Sequence, residues 1–279
     1  ILVGGDPIAV STATQDDYRF IRQYTNGPLF APVTGYYSHT QGMTGLEQAM
    51  NQELSGLGSA QFFTRIVRTV TGVKPQGSSI ETTLDPVVQQ VAADAMVGYE
   101  GAVVAIEPAT GRVLAMVSTP SFDPNLLSTN NDAEIITNYR QLEADVTQPL
   151  LNRAIGGDLY HPGSTYKLLT AAAAIENGSA TPESTFDNPA TLPLPQSSAV
   201  MQNASRTTCG PGTTVSLTQA MIFSCNIPFA ELAMSMDRDA VPKMAREFGF
   251  DQELSIPLIV TPSTSPAPLD SAQAALASI

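Results

Sequence analysis

A serine and a lysine three positions apart, Ser164 and Lys167, are the residues of this chain best placed to do chemistry. They stand in Pro162-Gly163-Ser164-Thr165-Tyr166-Lys167, and a run of helix formers then continues without a breaker to Gly178. A glycine just past such a run suits a helix end, so the pattern predicts a helix that begins at or near Ser164. Residues three apart share one helix face, one turn along, where a hydroxyl and an amine can touch. The unpaired N–H groups and positive dipole of the helix start favour negative charge developing on the serine. The bland alternative is a helix cap followed by a surface lysine. Against it, the chain has three lysines in all (Lys74, Lys167, Lys243), so lysine is not scattered as solubilising charge. Leu168, Leu169, four alanines and Ile175 make the helix apolar nearly all round, as expected of one buried at a domain centre.

The segments around this helix read as helices and antiparallel strands. Asp85-Pro86 is a helix start, cap then first-turn proline, for a helix through Val87, Val91 and Ala95 to about Val97. Gly101 to Ile106 reads as a buried strand, Pro108 to Gly111 as a turn and Val113 to Val117 as a second strand. A helix followed by a hairpin points to an α+β layer in which helices cover antiparallel strands. Pro120 to Pro149 is loop-rich with one polar helix, and Ala180 to Thr214 is a segment rich in Pro, Ser and Thr. Ser216-Leu217-Thr218-Gln219 carries a capping box and opens an apolar helix that ends at Ser224-Cys225-Asn226. Phe229 to Met236 and Ala240 to Phe248 read as helices, Ile256 to Pro268 as a proline-broken loop, and Asp270 to Ile279 as a helix start.

Residues 1–78 form a smaller, irregular unit: a strand near Ile8 and Val10, a helix from Thr44, and an apolar patch from Phe62, Phe63, Ile66, Val67 and Val70. Glu47 there suits packing or capping rather than acid–base work. Lys74-Pro75-Gln76-Gly77-Ser78 is the boundary, dividing the chain into 1–78 and 79–279. Ile1-Leu2-Val3-Gly4-Gly5-Asp6 reads as the middle of a hairpin, so an upstream segment is expected.

Ser224-Cys225-Asn226 is the second place where small polar groups interrupt an apolar run, 60 residues after Ser164. Alone it reads as a capped helix end. Ser-x-x-Lys followed by Ser-x-Asn, however, is a signature shared by penicillin-binding proteins and class A β-lactamases. The chain resembles class B penicillin-binding proteins, nearest to the actinobacterial penicillin-binding protein A group. The active-serine box is similar at Pro162 to Lys167, the entry to the transpeptidase domain at Gly101 to Ser118 and Ser121 to Asn125, and the non-catalytic N-terminal region at Pro32 to Tyr37 and Gly45 to Glu47. The resemblance covers essentially all 279 residues.

The resemblance implies an α+β transpeptidase domain after a small mixed N-terminal pedestal or dimerisation-like region. It implies a peptidoglycan D,D-transpeptidase in which Ser164 is the nucleophile, Lys167 its base, and Ser224 a proton shuttle. Asn226 holds Lys167 and binds the substrate amide. It also implies stem peptides as substrate, penicillin and other β-lactams as inhibitors, a SEDS-family glycosyltransferase and division or elongation proteins as partners, and an N-terminal anchor outside the plasma membrane. No cofactor and no metal are expected. The family's third box, Lys-Thr-Gly or a variant, does not occur before Ile279. The full protein is therefore expected to continue, and this chain alone to lack one oxyanion donor and activity. A serine β-lactamase is disfavoured by the N-terminal unit and by the lack of an identified deacylating glutamate. A β-lactam sensor or an inactive division scaffold stands as the non-enzyme alternative.

Composition narrows the remaining classes. A net charge of −13 without basic clusters argues against nucleic acid and anionic lipid. No stretch approaches the ~18–20 apolar residues of a membrane span. His161, three before Ser164, is separated from it by Pro162-Gly163, and no carboxylate identifies itself as its orienting partner. Ser128-Thr129-Asn130 also matches Ser-x-Asn but precedes the nucleophile in a polar loop and reads as a turn. Cys209 and Cys225 are too few for a zinc framework; buried thiols and a disulfide both remain open.

Overall fold

The computed structural model describes residues 1–58, 77–157 and 159–279. The apolar patch expected from Phe62 to Val70, and Lys74 to Gln76 of the boundary, lie outside them. The chain forms two compact units, Ile1–Asp158 with Ser255–Thr261, and Leu159–Leu254 with Pro262–Ile279. Both mix helices with short antiparallel strand pairs, the α+β class that the sequence predicts.

In the first unit, hairpins β1–β2 (Leu2–Val3, Asp6–Pro7) and β3–β4 (Ala9–Ala13, Phe20–Tyr24) precede α1 (Gly27–Thr34). The ladder β5–β6 (Tyr37–Ser38, Gly42–Met43) and the short helices α2 (Gly45–Ala49) and α3 (Asn51–Leu54) follow. Glu47 is buried on α2, where it accepts from Arg22 Nε at 2.7 Å and from the Tyr24 hydroxyl at 3.1 Å. It packs, as its surroundings predict.

Helix α4 (Pro86–Ala95) starts as its capping pattern predicts, with the Asp85 carboxylate accepting from the N–H groups of Val87 and Val88. It covers one face of the hairpin β7–β8 (Gly101–Ile106, Val113–Thr119), where Ala92 packs with Ala115 and Val117. Val104 and Ile106, on the opposite face of β7, are exposed, so this strand is buried on one side although its apolar run suggests two. On α4 Val88 and Ala92 pack against the hairpin while Val87 and Val91 face solvent, and Gln89 is fully buried. The Gln89 amide donates to the carbonyls of Leu29 and Met116 and accepts from the Met116 N–H. These bonds tie α1 and β8 to α4 and leave no polar atom of that side chain unpaired. Polar helix α5 (Asp132–Ala144) lies in the loop-rich stretch after β8.

In the second unit, a 3₁₀ turn over Gly163–Tyr166 runs directly into α6 (Lys167–Glu176). Gly163 has φ +56°, a conformation open to glycine at little cost, and it redirects the chain into the turn that carries Ser164. Leu169, Ala171, Ala173 and Ala174 of α6 pack in a core with Phe229, Leu232 and Ala245. Leu168 and Ile175, two turns apart, are exposed, so the helix is buried on one side and not all round. Composition around the circumference misled the expectation, because alanines fill a close-packed face as well as larger residues do.

The segment Ala180 to Thr214 holds β9 (Thr185–Asp187), β10 (Thr191–Pro193) and β11 (Val200–Gln202), with β12 (Thr214–Ser216) at its end. Strands of three residues leave no readable alternation. Ser216 and Gln219 exchange the bonds of a capping box and start α7 (Leu217–Ile222). The helices α8 (Ile227–Ser235), α9 (Ala240–Glu247) and α10 (Ser271–Leu276) complete the unit. Between α7 and α8 the chain turns through Ser224 at φ +54°, a left-handed conformation that costs an L-residue ~1–2 kcal/mol. The next residue, Cys225, is disulfide-bonded to Cys209, so the cysteines are a bridge and not free thiols. Asn188 fixes the far end: its amide donates to the Cys209 and Gly212 carbonyls and accepts from the Cys209 N–H.

Two outcomes follow from this turn. The disulfide spans 16 residues, a loop whose closure is worth ~3 kcal/mol. Reduction, verified by thiol titration, is expected to lower the melting temperature by several degrees; an unchanged melt contradicts the clamp. Ser224→Ala removes the hydroxyl and keeps the left-handed strain, whereas Ser224→Gly removes both. Glycine is therefore expected to be the more stable variant by ~1 kcal/mol, and an equal or lower denaturation midpoint for glycine contradicts it.

Candidate active site

The 3₁₀ turn that leads into α6, the first residue of α6 and the turn between α7 and α8 bring the four predicted residues together. Lys167 is completely buried, while Ser164 and Ser224 are exposed above it. The lysine Nζ lies 3.1 Å from Ser164 Oγ, 3.1 Å from Ser224 Oγ, 2.8 Å from the Ser224 carbonyl oxygen and 2.7 Å from Asn226 Oδ1. The Phe229 ring closes another side, its centroid 5.8 Å from Nζ.

Donor counting gives this arrangement a direction. An ammonium has three N–H bonds and no acceptor capacity. The Ser224 carbonyl and Asn226 Oδ1 can only accept, and they hold two of those N–H bonds in either protonation state. The third position points at the two serine hydroxyls. When Lys167 is neutral, that position is a lone pair, and the group it faces is a hydroxyl with a proton to give. Burial brings the Lys167 pKa down from 10.5 to about 8, because enclosure disfavours the charged form. Among the described residues its four hydrogen-bonding partner atoms are all neutral, and no carboxylate bonded to it counters that shift.

Asn226 is oriented by its own neighbours. Its Nδ2 donates to the Gln202 carbonyl at 2.7 Å and its backbone N–H to Asn203 Oδ1 at 2.9 Å. With Nδ2 committed to a carbonyl, Oδ1 is the atom left to face Lys167. Asn203, Asn188 and Phe229 were not legible as site residues. Asn203 and Asn188 lie in a segment read as a Pro/Ser/Thr-rich connection, and Phe229 reads as ordinary core. The one available signal was a pair of asparagines bracketing short apolar runs.

The tempting residues fall elsewhere. His161 is exposed on the loop before Pro162. The second Ser-x-Asn is structural: Ser128 donates to the Tyr37 carbonyl and Asn130 to the Asp16 carboxylate. Among the described residues no group of three or more His, Cys, Asp or Glu side chains could hold a metal ion, and no helix is long and apolar enough to cross a membrane.

Comparison with known proteins gives the family of the chain. The family model described as the penicillin-binding protein transpeptidase domain matches residues 101–277, and the penicillin-binding protein A dimerisation domain matches residues 1–80. The chain is 43% identical over 285 residues to the peptidoglycan D,D-transpeptidase PbpA of Mycolicibacterium smegmatis, covering all of this chain and 58% of that protein. It is 42% identical to the PbpA of Mycobacterium tuberculosis, with the same coverage. Among solved structures, penicillin-binding protein A of M. tuberculosis superposes with a TM-score of 0.94 at 41% identity, over 100% of this chain and 64% of the other. Its penicillin G acyl-enzyme complex superposes at 0.93 and 42% identity, over 65% of that chain. The chain thus spans between one half and two thirds of the length of the relatives it matches. It belongs to the penicillin-binding protein transpeptidase family.

Proposed function

We propose that the protein of which this chain is part is a serine-type peptidoglycan D,D-transpeptidase. The observation that carries the reading is a buried, uncountered lysine amine 3.1 Å from each of two exposed serine hydroxyls. Ser164 Oγ attacks the carbonyl of the penultimate D-alanine of a stem peptide and its proton passes to the neutral Lys167 amine. Ser224 hands a proton on to the leaving amine, the C–N bond breaks, and terminal D-alanine departs. An ester at Ser164 remains. The amine of a neighbouring stem attacks that ester, the new amide forms, and the proton returns to Ser164. A β-lactam enters the same path, but its leaving nitrogen stays tethered after the ring opens. Asn226 keeps Lys167 in place, and its second amide hydrogen suits the substrate carbonyl.

In this reading residues 1–78 are a non-catalytic pedestal and 79–279 the first part of the transpeptidase domain. Support comes from the two family matches, which end at residue 80 and begin at residue 101. The enzyme works on the outer face of the plasma membrane, held by an anchor upstream of Ile1, beside a SEDS-family glycosyltransferase and the division or elongation machinery. The transpeptidases named among its relatives support the substrate, and the acyl-enzyme structures support acylation by β-lactams.

Fluorescent penicillin tests the central claim on the full-length protein. A long-lived adduct that disappears in Ser164→Ala is expected. Rapid turnover of the label indicates a β-lactamase instead, and the absence of any adduct sinks both enzyme readings. The pH dependence is a separate check. With the Lys167 pKa at about 8, the acylation rate is expected to rise about tenfold per pH unit below that value and to level above it, since the neutral amine is the reactive form. Lys167→Arg, which stays charged, is expected to lose ~10²–10⁴ in rate. A rate independent of pH between 6 and 9 excludes Lys167 as the base.

A further inference from the structure

Asn226 occupies the N-cap position of α8, yet its side chain makes no cap bond there. Asparagine is among the best residues for that position because its side-chain oxygen accepts from the first-turn N–H groups of its own helix. Here that oxygen is instead 2.7 Å from Lys167 Nζ. Pro228, the second residue of the helix, has no N–H for such a cap, and the N–H groups left at the start of α8, those of Asn226 and Ile227, need an acceptor from elsewhere.

Asn203 supplies it. Its Oδ1 accepts from the Asn226 N–H at 2.9 Å and lies 3.5 Å from the Ile227 N. The Asn203 side chain is itself buried, and its Nδ2 donates to the Thr207 carbonyl at 3.0 Å, which fixes which end of the amide faces α8. The preceding residue, Gln202 at the end of β11, takes the Nδ2 of Asn226 on its carbonyl. Two consecutive residues of one strand end therefore hold the backbone and the side chain of Asn226. We infer that Asn203 is a positioning residue of the acylation site: it holds the backbone N–H groups of Asn226 and Ile227 and so keeps the Asn226 oxygen aimed at Lys167. This deepens the transpeptidase reading, but the juxtaposition can be tested without catalysis.

Removal of Asn203 leaves the N–H groups of Asn226 and Ile227 without their acceptor and frees the backbone from which the Asn226 side chain reaches Lys167. The Asn226 oxygen would then move away from Lys167 Nζ. The first measurement is the titration of Lys167 followed by its ¹³Cε NMR shift in wild type, Asn203→Ala and Asn203→Asp. In the alanine variant the ammonium loses an acceptor, and its midpoint is expected to fall. Aspartate keeps an oxygen on these N–H groups and adds a negative charge near the ammonium, so its midpoint is expected at or above the wild-type value. An unchanged or raised midpoint in Asn203→Ala overturns the inference. This readout does not require acylation, so it stands even if penicillin labelling fails and the transpeptidase reading falls.

The second measurement is a double-mutant cycle on the penicillin acylation rate. Asn203→Ala alone is expected to slow acylation about tenfold, the rate equivalent of one hydrogen bond at a charged group. In an Asn226→Ala background it should have no further effect, because the group it positions is gone. Effects that simply multiply mean that Asn203 acts on stability alone and overturn the inference. Asn203→Ser, with a shorter oxygen acceptor, carries the same comparison should the alanine variant not fold.

Discussion

An amine enclosed by protein and answered by neutral oxygens is the constraint on which this site depends. A buried lysine partnered by a carboxylate is held in its charged form, where it has no lone pair to offer. Lys167 has two carbonyl-type acceptors and two hydroxyls instead. Such partners satisfy its N–H groups without adding a counter-charge, so the proton stays labile close to neutral pH. The cost is geometric. Neutral hydrogen bonds are weaker than charge-assisted ones and must be held in position by other means. The capping box of α7, the disulfide at Cys225, the left-handed Ser224 and the paired asparagines at 203 and 226 are those means.

These devices cluster on one short connection between two helices. From Ser224 to Asn226 each residue has a separate anchor: the carbonyl and hydroxyl of Ser224 on Lys167, Cys225 on Cys209, and Asn226 on Gln202 and Asn203. A loop held at each successive position has little freedom to lose when substrate arrives, which is how a site is kept preorganised. The two hydroxyls stay exposed while everything beneath them is tied down.

Much of this was legible in the chain itself. Helix-face geometry brought Ser164 to Lys167 from a three-residue spacing, and the capping patterns at Asp85 and Ser216 placed the starts of α4 and α7 where they occur. Ser224 and Asn226 were found by their order after Ser164 and by family resemblance, since the local pattern alone, polar groups interrupting an apolar run, reads as a capped helix end. The rest was hidden for physical reasons. Gln89 sits in a helix flanked by valines, and only the tertiary fold shows that the glutamine is inside and Val87 and Val91 outside. Asn203 caps a helix 23 residues away, so the cap has no sequence pattern of its own. Leu168 and Ile175 show the converse: apolar type does not reveal which face of an alanine-rich helix is packed.

The complete burial of Lys167 carries one more consequence. A neutral primary amine is a stronger nucleophile than a serine hydroxyl, so a reactive carbonyl that met both would acylate the nitrogen. The product would be an amide, which does not pass its acyl group on. Lys167 has no exposed surface, and its lone pair reaches the outside only through the oxygens of Ser164 and Ser224. In the proposed reaction enclosure therefore does more than lower a proton affinity: it divides the chemistry, leaving the hydroxyl to form the bond and restricting the nitrogen to protons.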